Sequence, residues 1–311
     1  VTAATAYGYV EAGGLVGYNR ASSGTANITN SYATGNVLAE SSETGEWICA
    51  GGLVGETSAF SDGTADITNS YATGSVTATV DADDEAWAGG LVGYSSSYSS
   101  GSTADITNSY ATGNVSATGD YGAYAGGLVA YNRAYLGTAD ITNSYATGSS
   151  VSATSDDAAY AGGLVGYNYA FSDTATAAIT NSYATGSATA TADDYSCAGG
   201  LVGGIYASSD GTADITNSYA TGNVSATGSD EAYAGGLVGY SSSYSSGSTA
   251  NIIDSYATGS VTTTAEGGTW AGGLLGYNRV SSGTANITDS YATGSVTAAT
   301  AYGYVEAGGL V

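Results

Sequence analysis

The chain has 311 residues, and three arginines stand against 27 acidic residues, which gives a net charge of −24. Binding to nucleic acid or to anionic lipid needs clustered Lys and Arg, so this balance argues against both classes of partner. Only 10% of the residues are charged, where a soluble domain carries roughly 25%. The sequence also lacks the run of about 18 apolar residues that predicts a membrane-spanning helix.

Two short motifs recur along the whole chain at a nearly constant spacing. Ser-Tyr-Ala-Thr-Gly occurs eight times, with its tyrosines 35 to 39 residues apart, and Ala-Gly-Gly-Leu occurs nine times, alternating with it. A fixed period of this length is typical of stacked repeat arrays, in which each repeat covers the apolar face of its neighbour. We therefore interpret residues 1–311 as one continuous array without an internal domain boundary.

Within a representative repeat, residues 24–61, the residue types favour short strands over helices. Ile28, Asn30 and Tyr32 recur with a period of two, which predicts a first strand that contains all three. A second strand is predicted from Val37, and a third around Ala-Gly-Gly-Leu. The acidic stretch between the second and third strands, and the Ser-rich stretch after the third, are expected to be loops.

Equivalent positions of successive repeats predict ladders along the stack, with apolar columns inside and hydrogen-bonded Asn side chains beside them. This pattern predicts an all-β chain, a β-solenoid of about eight repeats. The two motifs divide the period nearly in half, so we expect two coils of about 18 or 19 residues per repeat, and a length of ~75–80 Å at ~4.8 Å per rung. The isoleucine ladder comprises Ile28, Ile67, Ile106, Ile141, Ile179, Ile215, Ile252 and Ile287.

The run Ile-Thr-Asn-Ser-Tyr-Ala-Thr-Gly, followed later by Gly-Gly-Leu-Val-Gly-Tyr, resembles the GLUG repeat of large bacterial and archaeal cell-surface proteins. The resemblance covers essentially the whole chain and implies a β-helical fold of the haemagglutinin or adhesin type. It also implies an extracellular or cell-surface location. It implies no catalytic residue, because the repeat motif contains none.

Longer similarities indicate a superperiod of four repeats. The decapeptide at residues 93–102 recurs at residues 239–248, and residues 1–16 are identical to residues 296–311. A recent duplication is one interpretation of the identical ends. The other, which we prefer, is that the chain is a window of a longer array or a unit that joins copies of itself, because neither end carries the polar cap that a lone solenoid needs.

Residues that could carry chemistry are few. The chain has no His, which excludes Ser-His-Asp and Cys-His nucleophile systems, and paired acids in loops of changing length do not suit glycoside hydrolysis. We therefore expect no enzyme activity. Calcium is the one cofactor we consider, because stacked repeats would align acidic loops along one edge and Ca²⁺ prefers oxygen ligands. The weak calcium candidates are Asp83, Asp84, Asp156, Asp157, Asp193 and Asp194.

The two cysteines, Cys49 and Cys197, both immediately precede Ala-Gly-Gly, four repeats apart. At the rung spacing they would lie ~19–38 Å apart, beyond the ~7 Å that a disulfide between them allows. They are buried inert thiols or else sites of disulfide cross-links between neighbouring chains. Large aromatic residues hold the same position in other repeats: Trp87, Tyr124, Tyr160, Tyr233 and Trp270.

We therefore expect a structural extracellular protein that assembles with copies of itself into a cell-surface fibre, sheath or envelope layer. An adhesin stalk, or a repeat domain that binds a glycan or receptor, is the alternative. In that case cell-wall or surface glycans would be the partners. The alternative predicts a distinct non-repetitive module elsewhere in the full gene.

Overall fold

The computed structural model describes residues 1–5, 8–42, 47–81 and 84–309. Every regular element within those ranges is a β-strand, and none of these residues forms a helix that could cross a membrane. The strands pair in parallel into five sheets that run the length of the molecule. The prediction of an all-β solenoid is confirmed.

One coil of the solenoid passes once through each sheet, and the sheets are numbered here in the order in which the chain visits them. Sheet 1 comprises Thr2–Thr5, Val37–Ser41, Val76–Val80, Val115–Thr118, Ser150–Ser155, Ser187–Ala192, Val224–Gly228, Val261–Ala265 and Val296–Thr300. Sheet 2 comprises Val10–Gly13, Ile48–Gly51, Glu85–Gly89, Gly122–Gly126, Ala158–Gly162, Tyr195–Gly199, Glu231–Gly235, Gly268–Gly272 and Tyr304–Gly308.

Three further sheets complete the coil, and those formed by the isoleucine and tyrosine motifs contain strands of only two residues. Sheet 3 comprises Val16–Ala21, Val54–Ala59, Val92–Ser97, Val129–Ala134, Val165–Ala170, Val202–Ala207, Val238–Ser243 and Leu275–Val280. Sheet 4 comprises Ile28–Thr29, Ile67–Thr68, Ile106–Thr107, Ile141–Thr142, Ile179–Thr180, Ile215–Thr216, Ile252–Ile253 and Ile287–Thr288. Sheet 5 comprises Tyr32–Ala33, Tyr71–Ala72, Tyr110–Ala111, Tyr145–Ala146, Tyr183–Ala184, Tyr219–Ala220, Tyr256–Ala257 and Tyr291–Ala292.

The expectation of two coils per repeat was wrong, because each repeat makes a single large coil. Tyr32 pairs with Tyr71 of the next repeat, and Leu15 donates its N–H to the carbonyl of Leu53. Each motif therefore stacks on its own copy one repeat away and never on the other motif. The solenoid is accordingly about 40 Å long at ~4.8 Å per rung, half of the expected length.

The strand boundaries also differ from the sequence-based expectation. Asn30 has φ of 51° and separates Ile28–Thr29 from Tyr32–Ala33, which belong to different sheets. Asn and Asp tolerate this left-handed conformation better than other non-glycine residues, which explains why Asn or Asp recurs at this corner. The Asn column also forms the expected ladder contact at one point, where the Asn217 side-chain amide donates to Asn181 Oδ1 at 2.6 Å.

The interior has two apolar lobes that share the corner between sheets 2 and 3. The first lobe packs the inward side chains of sheet 1 against those of sheet 2, such as Val37 and Ile48. The second lobe packs Leu53 and Val54 against Ile67 of sheet 4 and Ala72 of sheet 5. Much of the core is Ala, so the sheets lie close together and the isoleucine and leucine columns supply most of the large buried side chains.

Side-chain hydrogen bonds also connect the coils. From the second copy of Ser-Tyr-Ala-Thr-Gly onward, the serine side chain accepts a hydrogen bond from the N–H of the serine in the preceding copy, as Ser109 does from Ser70 at 3.1 Å. A column of Asn and Asp before sheet 4 bonds in the opposite direction, because each side chain accepts from the N–H of the following copy, as Asp105 does from Asp140 at 2.8 Å. These bonds occupy backbone donors that the short strands of sheets 4 and 5 do not pair.

Candidate ligand-binding groove

A sharp corner at Gly-Gly-Leu turns the outer faces of sheets 2 and 3 toward each other. In the coil that contains Gly89, a Cβ atom at this residue would lie 1.8 Å from the carbonyl oxygen of Val92, and one at Gly90 would lie 2.0 Å from that of Gly127. Only glycine fits so close to backbone, which explains why the motif is repeated unchanged. The two faces enclose a groove that runs along the outside of the solenoid.

The walls of this groove are two columns of large side chains, one on each sheet. In the sheet-2 column, Tyr124 and Tyr160 stack with ring centroids 5.2 Å apart. Across the corner, Trp87 stacks on Tyr94 of the sheet-3 column at 4.9 Å. The sheet-2 column comprises Glu11, Cys49, Trp87, Tyr124, Tyr160, Cys197, Tyr233, Trp270 and Glu306. The sheet-3 column comprises Tyr18, Glu56, Tyr94, Tyr131, Tyr167, Gly204, Tyr240 and Tyr277.

Both aromatic columns are interrupted together in two coils, four coils apart. In the second coil, residues 37–72, Cys49 and Glu56 stand where aromatic residues are usual, and in the sixth coil, residues 187–220, Cys197 and Gly204 do. A cavity of about 280 Å³ adjoins the first interruption, and one of about 160 Å³ adjoins the second. The superperiod of four repeats thus has a structural counterpart in the groove.

All three arginines of the chain occupy one register position of sheet 3, two residues beyond the sheet-3 column. The Arg133 guanidinium lies 5.3 Å from the ring centroid of Tyr135 and 5.6 Å from that of Tyr169. Arg20 lies 4.6 Å from the Phe60 ring in the same way. Contacts at these distances are cation–π interactions, so the few positive charges of a strongly acidic chain line one side of the groove.

Carboxyl groups line the first cavity from both walls, Glu56 from sheet 3 and Glu85 from sheet 2. Burial raises the pKa of Glu56, against a hydrogen bond of 2.5 Å that Ser58 Oγ donates to its carboxylate. Burial likewise raises the pKa of Glu85, and the charge of Asp84 adds to this effect. Two partly buried acids with raised pKa values and Arg133 therefore line the same cavity.

Unpaired donors complete the polar side of this cavity. The indole Nε1 of Trp87 and the guanidinium Nε of Arg133 are buried, and neither has a hydrogen-bond partner among the residues that the structure describes. Leaving such a donor unpaired costs about 1–3 kcal/mol. The Trp87 side chain itself is 7% exposed, so its aromatic ring is part of the cavity wall and not of the outer surface.

The structure places both cysteines in the interrupted coils with their thiols free and buried. Burial is the main cause that raises the pKa of both thiols, followed by the charge of Glu56 at Cys49 and of Glu231 at Cys197. They lie four rungs apart in one sheet, about 19 Å. A cross-link between chains would first require exposure of the sulfur, and the cross-link hypothesis stays a prediction with that condition attached.

The acidic candidates for calcium lie on the loop between sheets 1 and 2, apart from the groove. Backbone bonds stack these loops, and the N–H groups of Asp193 and Asp230 donate to the carbonyls of Asp156 and Asp193. Burial and the charge of Asp194 raise the pKa of Asp157. Across residues 1–5, 8–42, 47–81 and 84–309, no three acidic or cysteine side chains come together as a metal site. Asp83 lies outside the described residues, and calcium binding stays a prediction.

Continuous in-register parallel sheets and invariant corners define the chain as a β-solenoid repeat protein. The GLUG motif family model matches it seven times, at residues 8–38, 48–77, 88–116, 121–152, 157–191, 194–225 and 230–262. These matches cover more than half of the chain, and the chain belongs to the GLUG motif family.

Two further comparisons add little to this assignment. A search of curated proteins gives no match. A crystal structure of a Bacteroides ovatus protein, suggested to be an immunoglobulin A1 protease, is similar over 90% of this chain and 78% of that chain, with 16% identity and a TM-score of 0.46. That protein's suggested activity says nothing about this chain.

Sequence reasoning found one wall of the groove and missed the other. The sequence shows aromatic residues at the positions equivalent to Cys49, but the sheet-3 column that contains Tyr94 was missed. The signal was the Tyr of Gly-Gly-Leu-Val-Gly-Tyr, seven residues after the sheet-2 aromatic position. Val92 faces the core and Tyr94 the groove, although regular alternation would place both on one side. Gly93 is not paired with the neighbouring strand, and this irregularity turns Tyr94 to the side opposite Val92.

Proposed function

We propose that the chain is a rigid structural segment of a secreted or cell-surface protein, and that its rods pack side by side into a fibre, sheath or envelope layer. The observation that carries this proposal is the in-register hydrogen bonding of all five sheets from the first coil to the last. A stack in which every coil pairs with its neighbours transmits force along its axis without a hinge. The GLUG assignment supports a location outside the cell.

A continuous tyrosine ridge supports lateral packing of the rods. The sheet-5 tyrosines form a single stacked column on the outside, and the Tyr110 and Tyr145 rings lie 4.9 Å apart and within 1° of parallel. Because the rings cover each other's faces, the ridge presents ring edges and hydroxyl groups to its surroundings. Tyr is favoured at protein interfaces for this combination of an apolar body and a polar tip.

The test of lateral packing is the assembly state of the purified chain at increasing concentration. We expect filaments or sheets in electron micrographs, and a Tyr110→Lys/Tyr183→Lys variant should assemble far less because like charges then face each other on the ridge. A Thr262→Lys/Thr189→Lys variant, which adds the same charge on sheet 1, is the matched control. A chain that remains monomeric at every concentration would contradict the proposal.

Cross-linking through Cys49 and Cys197 is a separate part of this proposal. Disulfides persist outside the cell, and burial of the thiols predicts that they react only after local opening. Native assemblies held by such bonds should release subunits only with a reductant, and a Cys49→Ser/Cys197→Ser variant should assemble weakly. If both thiols of an intact assembly are recovered unoxidised after denaturation in alkylating reagent, backbone and tyrosine contacts hold the assembly alone.

The second candidate function is that of a surface repeat domain that binds a glycan or receptor, alone or as an adhesin stalk. One observation favours it, namely a groove whose aromatic walls open into cavities at two positions. Both candidates are non-catalytic, and the lack of His supports this in the chain as a whole. Each candidate can be tested without the other, because the groove and the tyrosine ridge lie on different sheets.

A further inference from the structure

The cavity in the sixth coil is a place where two stacked rings are missing. Tyr160 stacks on Tyr124 on one side, and Tyr240 stacks on Tyr277 at 5.6 Å on the other. Between them, Cys197 and Gly204 supply no ring to the two columns, so each column has a gap of two rungs, about 10 Å. Tyr195 of the same coil stacks on Tyr233 at 5.9 Å and covers part of the sheet-2 gap. The other ring contacts of Tyr160 and Tyr240, with Tyr167 and Tyr233, are edge to face.

The size of this gap fits one six-membered ring. Its volume is about 160 Å³, close to the 150 Å³ of an engineered protein cavity that holds benzene. Apart from Cys197, its lining consists entirely of tyrosines, including Tyr195 and Tyr206 near the exposed rim. Phenol hydroxyls both donate and accept hydrogen bonds. A ligand ring with apolar faces and a polar edge would place its faces on the tyrosine rings and its edge against their hydroxyl groups.

The larger cavity, which is lined by residues of the second, third and fourth coils, offers a complementary set of groups. Glu56 and Glu85 can accept hydrogen bonds, and Arg133 can donate them. The unpaired indole N–H of Trp87 is a further donor in the wall. A ligand with several hydroxyl groups would act as donor to the carboxylates and as acceptor for the arginine and indole.

Charge narrows the ligand class. A polyanion would meet a chain of net charge −24 and the carboxyl groups of Glu56, Glu85 and Glu231. An organic cation suits an aromatic cage in general, but here the Arg279 guanidinium already lies 5.2 Å from the ring of Tyr244, which stacks on Tyr206 of the cavity in the sixth coil. An apolar ligand would leave the buried carboxyl and guanidinium groups without partners, which is unfavourable. A neutral ring with several hydroxyl groups avoids all three problems, because it carries no charge and can form hydrogen bonds with the buried polar groups.

We propose that the groove binds a neutral oligosaccharide along its length, with one sugar ring seated in the sixth coil and a second segment in the cavity of the second coil. The apolar faces of this sugar ring stack on Tyr160 and Tyr240, and its hydroxyls meet the surrounding tyrosines. The hydroxyls of the second segment meet Glu56, Glu85 and Arg133. The two interruptions of the columns are four rungs apart, about 19 Å. This inference names the ligand class for the second candidate function and rests on it.

The chain itself provides the design of the test, because other coils show how the columns look when they are complete. A Cys197→Tyr/Gly204→Tyr variant fills the cavity of the sixth coil with the residues found one coil away. A Cys49→Trp/Glu56→Tyr variant likewise gives the second coil the residues of the third. At Gly204 the new Cβ would lie 2.9 Å from the Tyr167 ring and 3.0 Å from the Tyr160 ring, so both rings must shift slightly. Thr262→Tyr adds a ring on the exposed face of sheet 1 as the control.

Binding is measured by isothermal titration calorimetry with neutral oligosaccharides of glucose, galactose, mannose and N-acetylglucosamine, and with choline and oligogalacturonate for comparison. We expect at least one neutral oligosaccharide to bind the native chain. Each filled variant should weaken that binding at least tenfold with an unchanged or higher melting temperature, and the control variant should bind normally. Choline and oligogalacturonate should not bind.

The inference is overturned if no neutral oligosaccharide binds the folded native chain, if the filled variants bind as the native chain does, or if only choline or oligogalacturonate binds. Assembly of the same samples is followed by electron microscopy. Intact assembly without saccharide binding overturns the inference and leaves the structural role standing. Saccharide binding by a chain that never assembles overturns lateral packing alone.

Discussion

The tyrosine ridge of sheet 5 and the groove between sheets 2 and 3 are both stacks of aromatic rings, yet they differ in regularity. The ridge holds tyrosine in all eight coils, whereas the groove columns alternate between tyrosine, tryptophan, glutamate, cysteine and glycine. The uniform ridge can be explained by the stacking of neighbouring coils alone. Variation at equivalent positions breaks the stack locally, creates cavities and marks the place where a partner can enter.

The largest expected effect concerns the corner that holds the two groove walls together. A Gly126→Ala substitution places a Cβ 1.8 Å from the carbonyl oxygen of Val129, so backbone must move. We expect a loss of about 3 kcal/mol in the free energy of unfolding, measured by denaturant titration. Gly35→Ala, where nothing lies within 4 Å of the new Cβ, should change stability by less than about 0.5 kcal/mol. Equal effects of the two substitutions would contradict the proposed geometry of the corner.

The next effect concerns the column of Asn and Asp before sheet 4. Its side chains all accept a hydrogen bond from a backbone N–H, but only the Asp side chains can carry a charge. Burial first, and then the charges of Asp140 and Asp66, raise the pKa of Asp105 to about 6, although the N–H of Asp140 acts in the opposite direction. The folded chain therefore binds this proton more tightly than the unfolded chain. The contribution of Asp105 to stability is favourable near pH 4 and is lost as the pH rises through about 6.

An Asp105→Asn substitution tests whether the contribution of Asp105 to stability falls as the pH rises. Asn27 already fills the same role, since its Oδ1 accepts from the N–H of Asp66 at 2.9 Å. We expect the variant to gain about 1 to 3 kcal/mol at pH 7 and to equal the native chain near pH 4, by thermal or denaturant unfolding. Asp156→Asn, at an exposed loop, is the control for loss of one charge. A variant that is less stable at pH 7 would show that the carboxylate is stabilised in the fold.

A smaller effect is expected within the ridge. Tyr145 stacks on both Tyr110 and Tyr183 at 4.9 Å, and Tyr145→Ala removes both ring pairs. At about 0.5–1 kcal/mol per pair, the loss should be about 1 to 2 kcal/mol. Tyr291→Ala removes a single pair, with Tyr256, and should cost about half as much. If the two substitutions cost the same, ring stacking does not stabilise the ridge.

The smallest effect concerns completion of the groove stack. A Cys197→Tyr/Gly204→Tyr variant adds ring contacts in both columns, but Tyr160 and Tyr167 must first withdraw from the space they fill. We expect a net gain of about 0.5 to 1 kcal/mol in the free energy of unfolding. Thermal unfolding beside the Thr262→Tyr control measures it. A clear loss of stability would mean that the sixth coil cannot accommodate the rings that other coils contain.

The repeat class, the strand content and the stacked ladders could be predicted from the sequence, because Gly-Gly-Leu and Ser-Tyr-Ala-Thr-Gly recur in every repeat. The number of coils could not, because two motifs that halve the period look the same whether they stack on each other or on their own copies. The corner at Asn30 could not be predicted, because Ile28, Asn30 and Tyr32 follow the two-residue period of a strand although Asn30 has a left-handed conformation. The groove was half hidden because the irregularity at Gly93 places Tyr94 opposite to its expected side.

The most direct test of the difference between ridge and groove is nuclear magnetic resonance of the chain with isotope-labelled tyrosine side chains. The tyrosine signals are assigned by single substitutions, and the chain is then titrated with the oligosaccharide that binds. The account predicts shifts at Tyr160, Tyr167 and Tyr240 around the interrupted sixth coil, and no shift in the ridge, for example at Tyr145 or Tyr219. Shifts confined to the ridge, or spread evenly over both columns, would contradict it.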